Sequence, residues 1–343
     1  MERQTLFACG DGSYSAFRIP TILTLSSGRV LVFCEGRRDG LGDSGRIDIM
    51  LRAGDGDRFG DMRVVVSGGG DTVGNPCPVQ DGATGRVFLI YNKNDADKPE
   101  ALIMQGKGPR TVHVIYSDDE GETWSAPRDI TADVKPSGWT WYAVGPCHGV
   151  CLPSGRLMLG ANHAVLDEKA GCSGPYMSHT IYSDDHGETW KLGESIGSGT
   201  NECTLAAFSD GEVLINMRSM PYGGAENPHC RAQAWAADGA HFSQAALMPA
   251  LVDATCQGSL LTVTTPRGEE VLLSNARSTA RENLTVQRSL DRGRTWTVER
   301  VIAEGPSAYS DMTRLPDGRI ALIGETGDET PYERLTLCTF DLK

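Results

Sequence analysis

No stretch of this sequence approaches the roughly 20 consecutive apolar residues that a bilayer-spanning helix needs; the longest candidates, such as Val87 to Tyr91, are strand-length. The opening residues Met1-Glu2-Arg3-Gln4-Thr5-Leu6-Phe7 lack the apolar core and small-residue cleavage site of a secretory signal, so a cytoplasmic protein is expected. Positive charge is also in short supply. Thirty-two basic against 45 acidic side chains leave a net charge of −13, a field that repels phosphate backbones and anionic lipid heads. Neither a nucleic-acid partner nor a membrane partner is expected. Ten cysteines among 343 residues are too few for a disulfide scaffold, and Cys34, Cys203 and Cys338 stand singly inside strand-like runs, as buried reduced thiols do. The one compact group, Cys147-His148-x-x-Cys151, has no second ligand pair at zinc spacing, so neither a metal nor a cofactor is expected.

Amphipathic helices are missing too. Instead, short β-branched or aromatic runs recur, among them Arg29 to Phe33, Arg86 to Tyr91, Val112 to Tyr116, Glu212 to Asn216 and Arg319 to Ile323. They are bounded by turn pairs such as Ser27-Gly28, Ser154-Gly155, Asp210-Gly211 and Asp317-Gly318. No shift of composition divides the chain, so a single all-β domain over residues 1–343 is expected.

Internal repeats sharpen the architecture. The pattern S-x-D-x-G-x-T-W occurs at Ser117 to Trp124, Ser183 to Trp190 and Ser289 to Trp296. In each, the Asp carboxylate can accept backbone N–H bonds across a bend, Gly can take the positive φ, and Thr-Trp can start a returning strand. Worn copies stand at Ala53 to Phe59 and Ala236 to Phe242. A period of about 57 residues divides the chain into six units, each long enough for a four-stranded sheet, and a six-bladed β-propeller is expected. Its ring would close by pairing a strand near Thr5-Leu6-Phe7 with one near Leu335-Thr336-Leu337.

Turn and core rules leave some residues unexplained. An arginine interrupts the apolar run Tyr14-Ser15-Ala16-Phe17-Arg18-Ile19-Pro20, and a buried guanidinium is costly unless it meets an anion. Arg218 and Arg281 repeat the feature, each near the start of a different unit, from which positions on a central axis can be reached. Phe17-Arg18-Ile19-Pro20 and the three boxes resemble the FRIP motif and Asp boxes of the retaining exo-α-sialidases. The resemblance extends from about Tyr14 to Leu342 and includes Asn75-Pro76-Cys77-Pro78, Cys256-Gln257-Gly258-Ser259 and Ala308-Tyr309-Ser310-Asp311, as in animal cytosolic members.

The resemblance implies an exo-acting glycoside hydrolase for terminal α-linked sialic acid, working on a sialylated glycan or small sialoside without a cofactor. It assigns the substrate carboxylate to Arg18, Arg218 and Arg281, whose planar forks bind a carboxylate at a fixed angle. It makes Tyr309 the nucleophile and Glu202 its proton acceptor. A carboxylate attacking about 4 Å from the substrate's own would meet repulsion of roughly 4 kcal/mol at an effective dielectric of 20, which a neutral phenol avoids. For the acid/base residue Asp39, Asp43 and Asp48 are candidates. Asp43 fits family spacing best, with Asp39 the fallback, and a pKa raised by shielding is expected. Arg37, Glu35 and Asn75 match residues around the 4-hydroxyl and N-acyl group, and Glu325 matches the partner of the first arginine. Residues 92–110, 161–177 and 219–231 read as long loops able to shape the pocket or serve as surface insertions. Asn162-His163 replaces tyrosines of the animal relatives, which leaves the preferred ulosonic acid open, including deaminated or shorter ones. A propeller that binds glycans without cleaving them is the alternative from another class.

Overall fold

Short extended runs separated by tight bends pair with the runs that precede and follow them, and the chain accordingly forms antiparallel meanders. The computed structural model describes residues 1–167 and 172–343, and the described residues are all-β apart from the single-turn helices Glu100–Ile103 and Thr131–Val134. Residues 168–171, part of the expected 161–177 loop, lie outside the described residues. The first meander is Ala16–Thr24, Val30–Arg37, Ile47–Gly54 and Arg63–Val66, and the second Thr72–Gln80, Val87–Asn94, Thr111–Ser117 and Arg128–Asp129. The third is Trp139–Val144, Leu157–Asp167, Cys172–Ser183 and Lys191–Ser198, with Val150–Cys151 also paired to Leu157–Asp167. The fourth is Thr200–Ala207, Val213–Ser219, Cys230–Ala236 and Ala246–Val252.

The fifth is Gly258–Thr265, Gly268–Ala276, Glu282–Ser289 and the first part of the long strand Thr297–Arg314. The second part of that strand starts a sixth, continued by Ile320–Thr326 and Arg334–Phe340. Glu2–Ala8 completes it, with Gln4 opposite Leu337, Thr5 opposite Thr336 and Phe7 opposite Leu335, the closure expected from sequence.

The core lies between meanders. Phe7, Phe17, Ile22, Val32, Ile323 and Leu337 fill the space between the sixth and first; Val79, Phe88, Tyr142, Leu159 and Trp190 fill that between the second and third. The boxes make the bend between third and fourth strands. Asp185 Oδ1 accepts from Thr189 N at 2.9 Å and Ser183 Oγ at 2.8 Å, its Oδ2 accepts from Thr189 Oγ1 at 2.6 Å, and Gly187 has φ +80°. Asp119 and Asp291 repeat these contacts. The worn copies keep only the backbone part, with Asp55 accepting from Arg58 N and Asp238 from His241 N.

One buried carboxylate ties several inner strands together. Asp311 accepts from Ile22 N at 3.0 Å, His148 N at 3.1 Å, His148 Nδ1 at 2.8 Å and Ser259 Oγ at 2.6 Å. The histidine of the Cys147-His148 group thus serves this pin. Residues 161–167 and 172–177 are paired strands, not the unpatterned loop expected, with Ala164 opposite Tyr176. The strand signal is weak there because Asn162 and His163 are polar yet buried, as is His179 just beyond. His163 Nδ1 faces His179 Nδ1 at 3.0 Å, and Trp141 Nε1 donates to Asn162 Oδ1 at 3.2 Å.

Candidate active site

Two X-Pro steps shape the site. Pro20 has no N–H to continue the ladder, so the first strand shifts register after Arg18 and Ile19 turns to φ +56°; its freed N–H donates to Glu325 Oε1 at 2.9 Å. Asn75-Pro76 does the same in the second meander. Asn75 has φ +55°, the register shifts between Gly74 and Cys77, and Asn75 N donates to Glu35 Oε1 at 2.9 Å. Each bulge therefore binds a buried glutamate, and each glutamate then fixes an arginine. Glu325 receives Arg18 Nε at 3.0 Å and Nη2 at 3.1 Å, and also Tyr309 N at 3.2 Å. Glu35 Oε2 receives Arg37 Nε at 2.9 Å and Nη2 at 2.6 Å.

The other arginines arrive differently from the expectation. Arg218 ends the second strand of the fourth meander, and Arg281 precedes the third strand of the fifth; neither is near a unit's start. Strand ends at one mouth of the assembly supply the cluster, and either end of a strand can reach it. Arg218 Nη1 donates to Glu202 Oε2 at 2.8 Å, and Arg281 Nη1 to Tyr332 Oη at 2.7 Å. Tyr309 Oη donates to Glu202 Oε1 at 2.5 Å and lies 3.4 Å from Arg218 Nη1. The guanidiniums of Arg18 and Arg281 sit 5.2 and 5.5 Å from the Tyr309 ring centre.

Arg18, Arg37, Arg218, Arg281, Glu35, Asp43, Asn75, Glu202 and Tyr309 line one pocket of about 200 Å³, with Glu325 behind it. Of the three acidic candidates only Asp43 is there. Asp39 pairs with Arg46 on the surface, and Asp48 is taken by Tyr14, Arg38, Ser67 and Gly68 N.

The electrostatics suit a neutral phenol. Burial, then the adjacent Glu202 carboxylate, hold the Tyr309 hydroxyl well above the ordinary phenol range despite Arg218, so it is protonated in the free site. Burial disfavours the charge on Arg18, but the surrounding groups, Glu325 foremost, together outweigh it and raise its pKa. Asp43 corrects the expectation. Enclosure by the pocket pushes its pKa up, yet Arg37 at 2.8 Å and Arg18 at 3.4 Å outweigh that and lower it. Its side chain is 67% exposed, so Asp43 is not the shielded acid expected from sequence.

Sequence reasoning missed Tyr332, Arg110, Trp141 and Glu100. Tyr332 bonds Arg281 and lies under Arg18, whose Cζ is 4.3 Å from its ring centre, so one phenol supports two of the three clustered arginines. Its sequence setting, Glu329-Thr330-Pro331-Tyr332-Glu333, reads only as a turn. Glu100 and Arg110 lie in the expected loop 92–110, Trp141 lies in the strand Trp139–Val144, and all three line the pocket.

Comparison with known proteins gives a family. A model of the BNR repeat-like domain matches residues 28–322. A sialidase of Micromonospora viridifaciens is 31% identical over 97% of this chain, which spans 53%, about half, of that protein. An exo-alpha-sialidase of Arthroderma benhamiae is 30% identical, with 93% of this chain and 80% of that one covered. Among solved structures, the Hadza microbial sialidase Hz136 superposes with a TM-score of 0.84 at 25% identity, covering 99% of this chain and 68% of that one.

Proposed function

Because the chain belongs to the sialidase family, we propose that residues 1–343 form one catalytic six-bladed β-propeller that hydrolyses terminal α-linked sialic acid with retention. The six meanders, with Glu2–Ala8 completing the last, support the propeller reading. The observation that carries the mechanism is the 2.5 Å bond between Tyr309 and Glu202 inside a ring of three arginines.

Arg18, Arg218 and Arg281 hold the substrate carboxylate, which sets the anomeric carbon over Tyr309. Tyr309 Oη attacks that carbon as Glu202 takes the phenolic proton, and the bond to the leaving oxygen breaks as Asp43 protonates it. In the second half, Asp43 removes a proton from water, water oxygen displaces the aryl ether, and Glu202 returns its proton to Tyr309. The bound carboxylate adds negative charge beside Arg18 and so raises the Asp43 pKa when an acid is needed. Proton NMR of the released sugar acid tests the reading: the α anomer appears first, whereas initial β anomer or no release contradicts it. A propeller that only binds glycans has no use for the Tyr309–Glu202 pair.

Two further outcomes follow. In the free enzyme Asp43 must be protonated to act as acid, and its depressed pKa makes kcat/KM fall as pH rises through the acid range. Arg37→Met removes the partner that lowers that pKa most, so the falling limb of the kcat/KM profile moves to higher pH. Tyr332→Leu removes the ring beneath Arg18 and the hydroxyl that holds Arg281, and raises KM about tenfold with kcat changed less. Tyr332→Phe loses only the Arg281 hydrogen bond and raises KM about three-fold. The dissociation constant of a 2,3-unsaturated sugar-acid analogue checks both, and an analogue with its carboxylate amidated loses the dependence on Tyr332.

A further inference from the structure

The wall facing the clamp carries a guanidinium that the mechanism does not use. Arg110 immediately precedes the third strand of the second meander and is 4% exposed, yet it lines the pocket. Its Nε donates to Tyr142 O at 2.7 Å, Nη1 to Asn94 Oδ1 at 2.5 Å and Nη2 to Asn75 Oδ1 at 2.8 Å. Trp141 covers its face at 4.1 Å. All three acceptors are neutral. Among the described residues no carboxylate reaches ion-pairing distance, and burial accordingly lowers its pKa to about 10, which leaves it charged near neutral pH. Five donors less three bonds leave two N–H groups with no acceptor among the described residues. A buried cation kept in this state needs an acceptor from elsewhere.

The neighbouring groups narrow the choice. Glu100 lines the same wall, receives Tyr176 Oη, and has its pKa raised by burial. Asn162 is fixed there by Trp141. The wall offers donors and acceptors side by side, and Arg110 covers one face of the tryptophan that lines it.

The clamp arginines come from the first, fourth and fifth meanders, while Arg110 comes from the second and leans on Tyr142 and Trp141 of the third. In a six-membered sugar ring the position opposite the carboxylate-bearing C2 is C5. We infer that Arg110 reads the C5 substituent, and that the site favours a substrate carrying a hydroxyl there, directly or at the end of an acyl group, over an acetamide. The inference rests on the proposed hydrolysis of sialic acids.

The test is kcat/KM for three methylumbelliferyl glycosides, differing only in a C5 hydroxyl, glycolylamide or acetamide, with the parent and Arg110→Met. The parent is expected to favour at least one of the hydroxyl-bearing substrates over the acetamide about tenfold, and the first two arms tell which source supplies it. Arg110→Met removes that preference, and Arg110→Lys, which keeps the charge and loses the fork, restores part of it. A parent that prefers the acetamide, or a ratio unchanged in Arg110→Met, overturns the inference alone. No release of any of the three by the parent overturns the hydrolase reading and this inference with it. Because a general structural loss lowers all three rates together, the ratio separates it from a role in recognition.

Discussion

Tyr309→Phe lowers kcat/KM by at least about 10³-fold while leaving the unfolding free energy within about 1 kcal/mol of the parent. The change removes one oxygen, the atom that bonds Glu202 at 2.5 Å, and Glu202 keeps its 2.8 Å contact with Arg218. The fold should therefore not register the loss, and the clamp still binds the carboxylate, so KM changes little and kcat carries the effect. Glu202→Gln leaves the phenol without a base beside it and lowers kcat by about 10²-fold or more. Because the two residues act as a unit, Tyr309→Phe combined with Glu202→Gln is no slower than Tyr309→Phe alone. Steady-state kinetics on a fluorogenic sialoside, with urea unfolding of the same variants, checks each of these values. A Tyr309→Phe enzyme within tenfold of the parent would remove the phenol from the chemistry.

Glu325→Ala has the largest effect on the fold, a loss of about 3–5 kcal/mol in the unfolding free energy. Glu325 is fully buried and satisfies four groups at once: two nitrogens of Arg18, Ile19 N and Tyr309 N. Its removal strands a guanidinium that is itself 6% exposed and frees the two backbone N–H groups that hold the Tyr309 strand against the bulge. Glu325→Gln retains hydrogen-bond capacity without the charge and loses less. Arg18→Met combined with Glu325→Leu replaces the pair with apolar side chains and recovers much of the stability, while activity stays lost because the clamp lacks an arginine. Urea unfolding at neutral pH measures all three. Recovery of stability without activity would show that the ion pair is held for the substrate rather than for the fold.

How much of this was legible in the sequence depended on range. The boxes could be read because every partner of Asp119, Asp185 and Asp291 lies within four residues, and their bends formed as the local chemistry demands. The strand pairing that closes the chain could be read from the repeat period. Phe17-Arg18-Ile19-Pro20 signalled a buried arginine, but that Pro20 creates the bulge by which Ile19 N reaches Glu325 is visible only when residues 306 positions apart are side by side. Asp43 was placed by spacing and misjudged in charge, since Arg37 and Arg18 come to it through the fold. Arg110 and Tyr332 carried no signal at all. Each works through partners from other strands, and each sits in a polar stretch that reads as a connection. Residues 161–177 show the reverse error: buried Asn162 and His163 hide strands behind a polar pattern.

The direct test is to trap the intermediate. A 3-fluorinated sugar acid with a good leaving group at C2 slows the second step more than the first, so a covalent adduct accumulates. Peptide mapping by mass spectrometry is predicted to find the added sugar acid on Tyr309, and its decay to accompany the return of activity. An adduct on Glu202 or Asp43 would contradict the mechanism argued from the arginine clamp and its phenol.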